Sequence, residues 1–156
     1  MWRSRMSVAL LVLGTFSVSS SAQQHASVHV SPDSIVWGPA SPKLPAGAQV
    51  AVIFGDMRQP GELYVFRAKL PDGYSVPPHT HPMDEHVTVL KGMMTIGFGE
   101  RRDEAQMQEL PAGAYVMLPK GHAHYNRMRG ETILQFHGID PYDINYVNPA
   151  DDPSRK

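Results

Sequence analysis

Residues 73–92 read GYSVPPHTHPMDEHVTVLKG and contain a tight group of metal-ligating side chains. His79 and His81 are two residues apart, which places both side chains on the same face of an extended strand. Glu85 follows four residues after the second histidine, at the start of an apolar run. If the chain bends at Pro82, the carboxylate returns to the same centre as the two imidazoles.

A second stretch supplies one more histidine. Residues 113–124 read GAYVMLPKGHAH, and two glycines and a proline frame His124. Imidazole and carboxylate together are ligands that suit a borderline divalent ion. If the three imidazoles and the carboxylate converge on one point, they would make a metal site formed by His79, His81, Glu85 and His124. Because such a site requires neutral imidazoles and an ionised carboxylate, its occupancy should fall at acid pH.

The two stretches together resemble the paired motifs of the cupins, double-stranded β-helix barrels with a metal in the mouth. The first cupin motif is glycine, five residues, HxH, three or four residues, glutamate, six residues and glycine. It is matched here by Gly73, His79, His81, Glu85 and Gly92. The second motif is glycine, five residues, PxG, two residues, histidine, three residues and asparagine. It is matched by Gly113, Pro119, Gly121 and His124, with Met128 at the asparagine position, which is not a ligand in the family.

This resemblance implies an all-β fold, a single jelly-roll barrel of the monocupin type, and one divalent ion of iron, manganese, nickel, cobalt, copper or zinc. Four protein ligands on a metal that prefers six leave two open positions for a bidentate substrate or dioxygen. We therefore expect a metalloenzyme that acts on a small oxygenated organic molecule, of the dioxygenase, isomerase, lyase or decarboxylase type. The alternative is a secreted module that binds a metal or a small molecule without turnover. Fold and motif do not select among these functions.

Composition and hydrophobic alternation favour the same fold class. The 156 residues include 14 prolines and 13 glycines, which suits short strands and many turns better than a helical bundle. Alternation of apolar and polar residues predicts strands over 49–54, 62–70, 85–91, 93–98, 114–118 and 131–137, and a short polar helical turn within 101–109. We place the barrel at 49–147, after an irregular leader at 23–48 that Ile35 and Trp37 hold to the body, and before a flexible tail at 148–156.

The N-terminus has the order of features of a signal peptide. Arg3 and Arg5 precede an apolar run at 6–18, which is too short to span a membrane, and small residues follow up to Ala22. We expect cleavage after residue 22, so residues 1–22 are set apart from the fold. The mature chain is then secreted, into the periplasm of a Gram-negative source, with no stable membrane anchor.

Charge and cysteine content limit the partners. The net charge of −1 provides no basic excess to neutralise phosphates, so nucleic acid is not an expected partner. The chain has no cysteine, which excludes disulfides and thiolate metal ligands. We expect a small-molecule ligand or substrate, and a homodimer if the strand at 49–54 is an exposed edge that pairs with a second copy.

The sequence says less about where the other candidate site residues lie. His86 follows the predicted carboxylate ligand and should face away from the metal, and His122 lies in a turn. His137 could line the mouth or be hydrogen-bonded in the core, and Gln135 shares its face. Tyr125 follows the last predicted ligand and could donate a hydrogen bond towards the site, although strict alternation turns it outward.

Overall fold

The computed structural model describes residues 26–156, so the predicted signal peptide lies outside the described residues. This part of the chain contains β-strands and short 3₁₀ turns and no α-helix. The strands are β1 (Gly38–Pro39), β2 (Gln49–Phe54), β3 (Leu63–Leu70), β4 (Ser75–Thr80), β5 (Glu85–Phe98), β6 (Gln108–Pro111), β7 (Tyr115–Leu118), β8 (His124–Ile139) and β9 (Asn145–Tyr146). Within these residues, no helix has the length and apolar character needed to cross a membrane.

The strands form one curled antiparallel sheet. Its main path runs β1-β2-β3-β8-β4-β9, and β5 pairs with β8 on one side and with β6 and β7 on the other. Buried side chains of β3, β4, β5, β7 and β8 pack into one shared core, as in a jelly-roll barrel. The expected all-β barrel is therefore confirmed.

Two long strands carry the chain around the barrel. β5 and β8 pair with each other along nearly their whole lengths, from Glu85 opposite Gly138 to Phe98 opposite His124. The sequence predicts two strands, at 85–91 and 93–98, where the structure has one. Gly92 explains the difference, because its φ of 77° bends β5 without ending the strand pairing. A Cβ there would lie 2.6 Å from the Glu131 carbonyl oxygen, so only glycine fits.

The core follows the predicted alternation. In β3, Tyr64, Phe66, Ala68 and Leu70 are buried, while the residues between them are partly exposed on the outer face. Each large apolar side chain contributes about 1.5–3 kcal/mol when it is fully removed from water. The buried face of β3 therefore stabilises the barrel and forms part of the wall of the site described below.

Both ends of the described chain pack on the barrel. Trp37 lies beneath the ammonium group of Lys69, 4.7 Å from the ring centre, which holds the leader to the outer face of β3. The segment expected to be a flexible tail instead contains two 3₁₀ turns, at Pro149–Asp151 and Pro153–Arg155. The carboxylate of Asp152 accepts hydrogen bonds from the backbone NH and the hydroxyl of Ser154, which gives the second turn a capped start.

Candidate metal centre

Three histidines, on two neighbouring strands and just after one of them, converge inside the barrel. His79 on β4 lies directly opposite His124 on β8, and their ring centres are 4.2 Å apart. His81 lies two residues further along, and its ring centre is 5.0 Å from that of His79 and 5.2 Å from that of His124. One nitrogen from each ring lies within 4.8 Å of the other two. All three side chains are buried.

Backbone carbonyls fix the proton on each ring. A carbonyl oxygen can only accept, so each Nδ1 is the protonated donor. The three accepting oxygens are those of Pro77, at 2.7 Å from His79, of Asp143, at 2.7 Å from His81, and of His122, at 3.1 Å from His124. A neutral ring protonated at Nδ1 has a free lone pair on Nε2, which is the arrangement that metal-binding histidines require.

Glu85 lies beside this group at the start of β5. Its Oε2 is 3.4 Å from Nε2 of His81, although the carboxylate is not within 4.8 Å of all three histidines. The Nε2 of His81 and the Oε1 of Glu85 are both buried without a hydrogen-bond partner. Unsatisfied buried atoms of this kind are costly, and a cation between them would satisfy both. The donor set therefore fits a divalent ion with nitrogen and oxygen ligands.

Burial sets the charge of these side chains. Loss of hydration lowers the pKa of His79 well below its ordinary value, and the nearby His124 and His81 lower it further. Burial likewise lowers the pKa of His124 to about 4. Burial raises the pKa of Glu85, and the interaction with His81 opposes this shift. His79 and His124 are thus neutral at neutral pH, as metal-ligating histidines must be. The buried carboxylate of Glu85 is the group whose ionised form a cation would stabilise most.

A small cavity with a mostly apolar wall adjoins the histidines. It has a volume of about 40 Å³ for the centres of water-sized molecules. Its wall combines the predicted ligands His79, His81 and Glu85 with side chains from β3, β4, β8 and the loops. These are Leu44, Phe66, Ala68, Leu70, Tyr74, Val76, Asn126, Met128, Leu134, Phe136, Tyr142 and Ile144.

Tyr142 is a site residue that the sequence analysis missed. Its ring stacks on His81, with 5.5 Å between ring centres, and meets Phe66 edge-on at 5.1 Å. Burial raises its pKa well above the ordinary value, and the charge of Glu85 raises it further. The residue lies in the connection between β8 and β9, where no periodic pattern indicates which side chains point inward, so no sequence signal marks it.

Two predicted pocket residues lie on the outer face of β8 instead. His137 stacks against His86, with ring centres 4.8 Å apart, and Gln135 accepts a hydrogen bond from Arg67 at 3.0 Å. Leu134 and Phe136 occupy the inward positions of this strand, so neither His137 nor Gln135 lines the cavity beside the histidines. His137 lines a separate pocket together with His86. The outward direction predicted for His86 is confirmed, since its Nδ1 lies 2.6 Å from the hydroxyl of the exposed Tyr115.

Tyr125 also lies away from the cavity. Its side chain is fully buried under the loop that follows β5, and its hydroxyl donates to the carbonyl of Asp103 and accepts from the NH of the same residue. Alternation along β8 places it on the side opposite to His124, as strict alternation predicts, and its hydroxyl is paired with Asp103.

Comparison with protein families shows which family the chain belongs to. Residues 33–155 match the family described as "Domain of unknown function (DUF4437)". This range covers more than half of the 156 residues. The chain belongs to the DUF4437 family.

Solved structures relate this DUF4437 protein to the cupins by fold. The polyketide cyclase RemF from Streptomyces resistomycificus is similar at a TM-score of 0.65 and 15% identity, over 81% of this chain and 89% of that one. An RmlC-like cupin from Shewanella frigidimarina is similar at a TM-score of 0.54 and 14% identity, over 70% and 87%. The predicted resemblance is confirmed for the fold: the DUF4437 protein has the jelly-roll fold of the cupins.

Sequence comparison adds a short match to plant proteins. Germin-like protein 5-1 of Oryza sativa subsp. japonica is 35% identical over 57 residues, which is 36% of this chain. The match spans 26% of the germin-like protein, so the DUF4437 protein aligns with about a quarter of the length of that relative.

Proposed function

We propose that this chain is a metal-dependent enzyme that acts on a small oxygenated organic molecule. His79, His81, Glu85 and His124 hold one divalent ion, which is iron, manganese, nickel, cobalt, copper or zinc. When bound, the ion polarises an oxygen of the substrate or activates dioxygen, which is the chemistry of metal-dependent oxidoreductases, isomerases and lyases.

One observation carries this proposal. Three buried imidazoles present unprotonated Nε2 atoms to one another while their Nδ1 atoms are tied to backbone carbonyls. The Nε2 of His81 is buried without a hydrogen-bond partner, which costs free energy unless a cation satisfies it. The unpartnered oxygen of Glu85 beside them supports a fourth ligand.

Metal analysis tests the site. Protein expressed with a mixture of divalent metals in the medium should contain about one ion per chain, with nitrogen and oxygen donors. Elemental analysis after extensive dialysis measures the content, and X-ray absorption identifies the donor atoms. Protein that carries no metal under any of these conditions would exclude the proposed function.

Turnover is tested separately. The metal-loaded protein is assayed for dioxygen uptake, and for isomerisation, decarboxylation and cleavage, over a panel of small carboxylic acids and diketones. Protein stripped with a chelator is the control, because it has the same chain and lacks the proposed metal ion. We expect turnover only in the loaded protein.

A second candidate function is a binding or sensor module without turnover. The mostly apolar wall of the cavity favours it, since Glu85 is the one carboxylate among the described lining residues. A loaded protein that binds a panel compound tightly and converts none of them would favour this module over the enzyme.

We also propose that the chain is exported and forms a homodimer. Cleavage after Ala22 would leave a mature protein that begins at Gln23, which N-terminal sequencing of the exported product tests. The two-residue strand β1 pairs with β2 only at Gln49 and Val50 in the described residues, which leaves an edge for a second copy. Light scattering of the purified protein measures the oligomeric state.

A further inference from the structure

The wall of the metal cavity has no cationic side chain. Within residues 26–156, neither lysine nor arginine lines it. Lys43 precedes the lining residue Leu44, but its ammonium group contacts both carboxylate oxygens of Asp143, at 2.7 and 2.8 Å, and the carbonyl of Ile144 at 3.3 Å. These three acceptors occupy its three donors. The cavity therefore offers no side-chain cation to a bound anion.

The lack of a cationic side chain in this wall limits the negative charge that a bound ligand can carry. A divalent ion held by three neutral imidazoles and the Glu85 carboxylate leaves a single positive charge. A ligand that coordinates as a monoanion cancels that charge. A dianion would leave a negative charge uncompensated among apolar side chains, which is strongly unfavourable in a buried site.

One hydroxyl in the cavity is free to recognise a ligand. Four of the six tyrosine hydroxyls are hydrogen-bonded to other groups of the protein, namely those of Tyr74, Tyr115, Tyr125 and Tyr146. The hydroxyls of Tyr64 and Tyr142 make no hydrogen bond to another described residue. Of these two, Tyr142 lines the cavity, stacked on His81.

Size and shape restrict the ligand further. The cavity is small, with a volume of about 40 Å³ for the centres of water-sized molecules. Phe66 and Phe136 are stacked with ring centres 4.7 Å apart and face the same space. The body of the ligand thus meets apolar surface.

We infer that the cavity binds a small, mostly apolar molecule that carries a single anionic oxygen donor, and that Tyr142 donates a hydrogen bond to an oxygen of that molecule. This inference rests on the proposed metal site. It narrows the substrate from any small oxygenated molecule to an enolate, phenolate or monocarboxylate with a hydrocarbon body, and it excludes dicarboxylates.

Two chelators of nearly equal shape test the inference on the full chain loaded with Co²⁺. Pentane-2,4-dione binds metals as a monoanion with methyl ends, whereas malonate has the same skeleton and binds as a dianion. Each is titrated while the visible absorption of the bound cobalt is recorded, and each affinity is divided by the affinity of the same chelator for aqueous Co²⁺. We expect this ratio to favour pentane-2,4-dione by at least tenfold.

Tyr142→Phe tests the hydroxyl. The variant keeps the ring that stacks on His81, so its cobalt content should equal that of the wild type, while its affinity for pentane-2,4-dione should fall about tenfold, as expected for losing one hydrogen bond. Tyr115→Phe removes an equivalent hydroxyl from the outer face and is the matched control, with unchanged affinity.

The outcomes separate the two proposals. Absence of bound cobalt in the wild type overturns the metal site and this inference with it. Normal cobalt content together with a ratio that favours malonate, or with an unchanged affinity in Tyr142→Phe, overturns the inference alone.

Discussion

Nε2 of His81 lies 3.4 Å from Oε2 of Glu85, and neither side chain is more than 5% exposed. The same His81 nitrogen and the other oxygen of Glu85 have no hydrogen-bond partner. The pair is therefore poorly satisfied by the protein alone, because a neutral ring with its lone pair towards a carboxylate cannot donate to it. This relationship ties the stability of the protein to the occupancy of its proposed metal site.

Removing a predicted ligand should remove the metal. His81→Ala deletes one of four ligands, and we expect its metal affinity to fall by more than the roughly 10–100-fold that is typical of losing an outer hydrogen-bond partner. Elemental analysis after dialysis measures the loss. His86→Ala, on the outer face, is the matched control and should keep its metal. Full retention of metal by His81→Ala would refute the ligand assignment.

Glu85→Gln should have opposite effects on the metal-free and the loaded protein. Burial raises the pKa of this carboxyl, so its ionised form destabilises the metal-free fold at neutral pH. We expect the metal-free variant to gain about 1 kcal/mol, or about 4 °C in Tm, and the added metal to stabilise it less than the wild type. Thermal unfolding with and without metal measures both effects.

The exposed Glu62→Gln is the control for this charge change and should leave Tm unchanged. If Glu85→Gln lowers the stability of the metal-free protein, the carboxylate has a favourable partner that the structure does not contain, and the interpretation fails.

The metal-free protein should lose stability as the pH falls from 6.5 towards 4, the range set by the ordinary and the folded pKa of His124. Between these pH values, His124 binds a proton in the unfolded chain but not in the folded chain. His79 behaves in the same way, because burial also lowers its pKa. Each histidine therefore lowers the free energy of unfolding by about 1.4 kcal/mol for each pH unit of acidification. Glu85 acts in the opposite direction above its ordinary pKa of 4.5, but one carboxyl does not offset two histidines.

Urea denaturation of the metal-free protein across this pH range measures how steeply the free energy of unfolding changes with pH. His124→Gln should make this dependence shallower, and Glu85→Gln should make it steeper. A profile without slope in the wild type would contradict the expected burial of neutral histidines.

Gly97→Ala should destabilise the barrel by overpacking. A Cβ at this position would lie 2.4 Å from the ring of Tyr125, which the hydrogen bonds to Asp103 hold in place. We expect a loss of about 1–3 kcal/mol, measured by urea denaturation. Gly38→Ala is the control, because its nearest contact would be an ordinary 3.8 Å from a carbonyl oxygen. Equal stability of the two variants would mean that Tyr125 moves freely.

The sequence predicted the pairing of His79 with His81 because their spacing is local, and the resemblance to the second cupin motif added His124. His79 and His81 share a face through the two-residue period of a strand, and the structure brings His124 to the same point. Alternation was less useful for the segment at 131–137. It shows that His137 and Gln135 share a face, but it does not show which face is inside, and packing of Leu134 and Phe136 in the core decided that point.

Sequence alone determined the all-β class, the two motifs and the nitrogen and oxygen character of the proposed ligands, because these depend on residue type and on short-range periodicity. Only the tertiary structure placed Tyr142 over His81, set Glu85 at 3.4 Å from the same ring and made the cavity wall apolar. These features arise where β3, β4, β8 and the connection to β9 converge from distant parts of the chain. No local pattern encodes that convergence, since it is the closure of the barrel that brings them together.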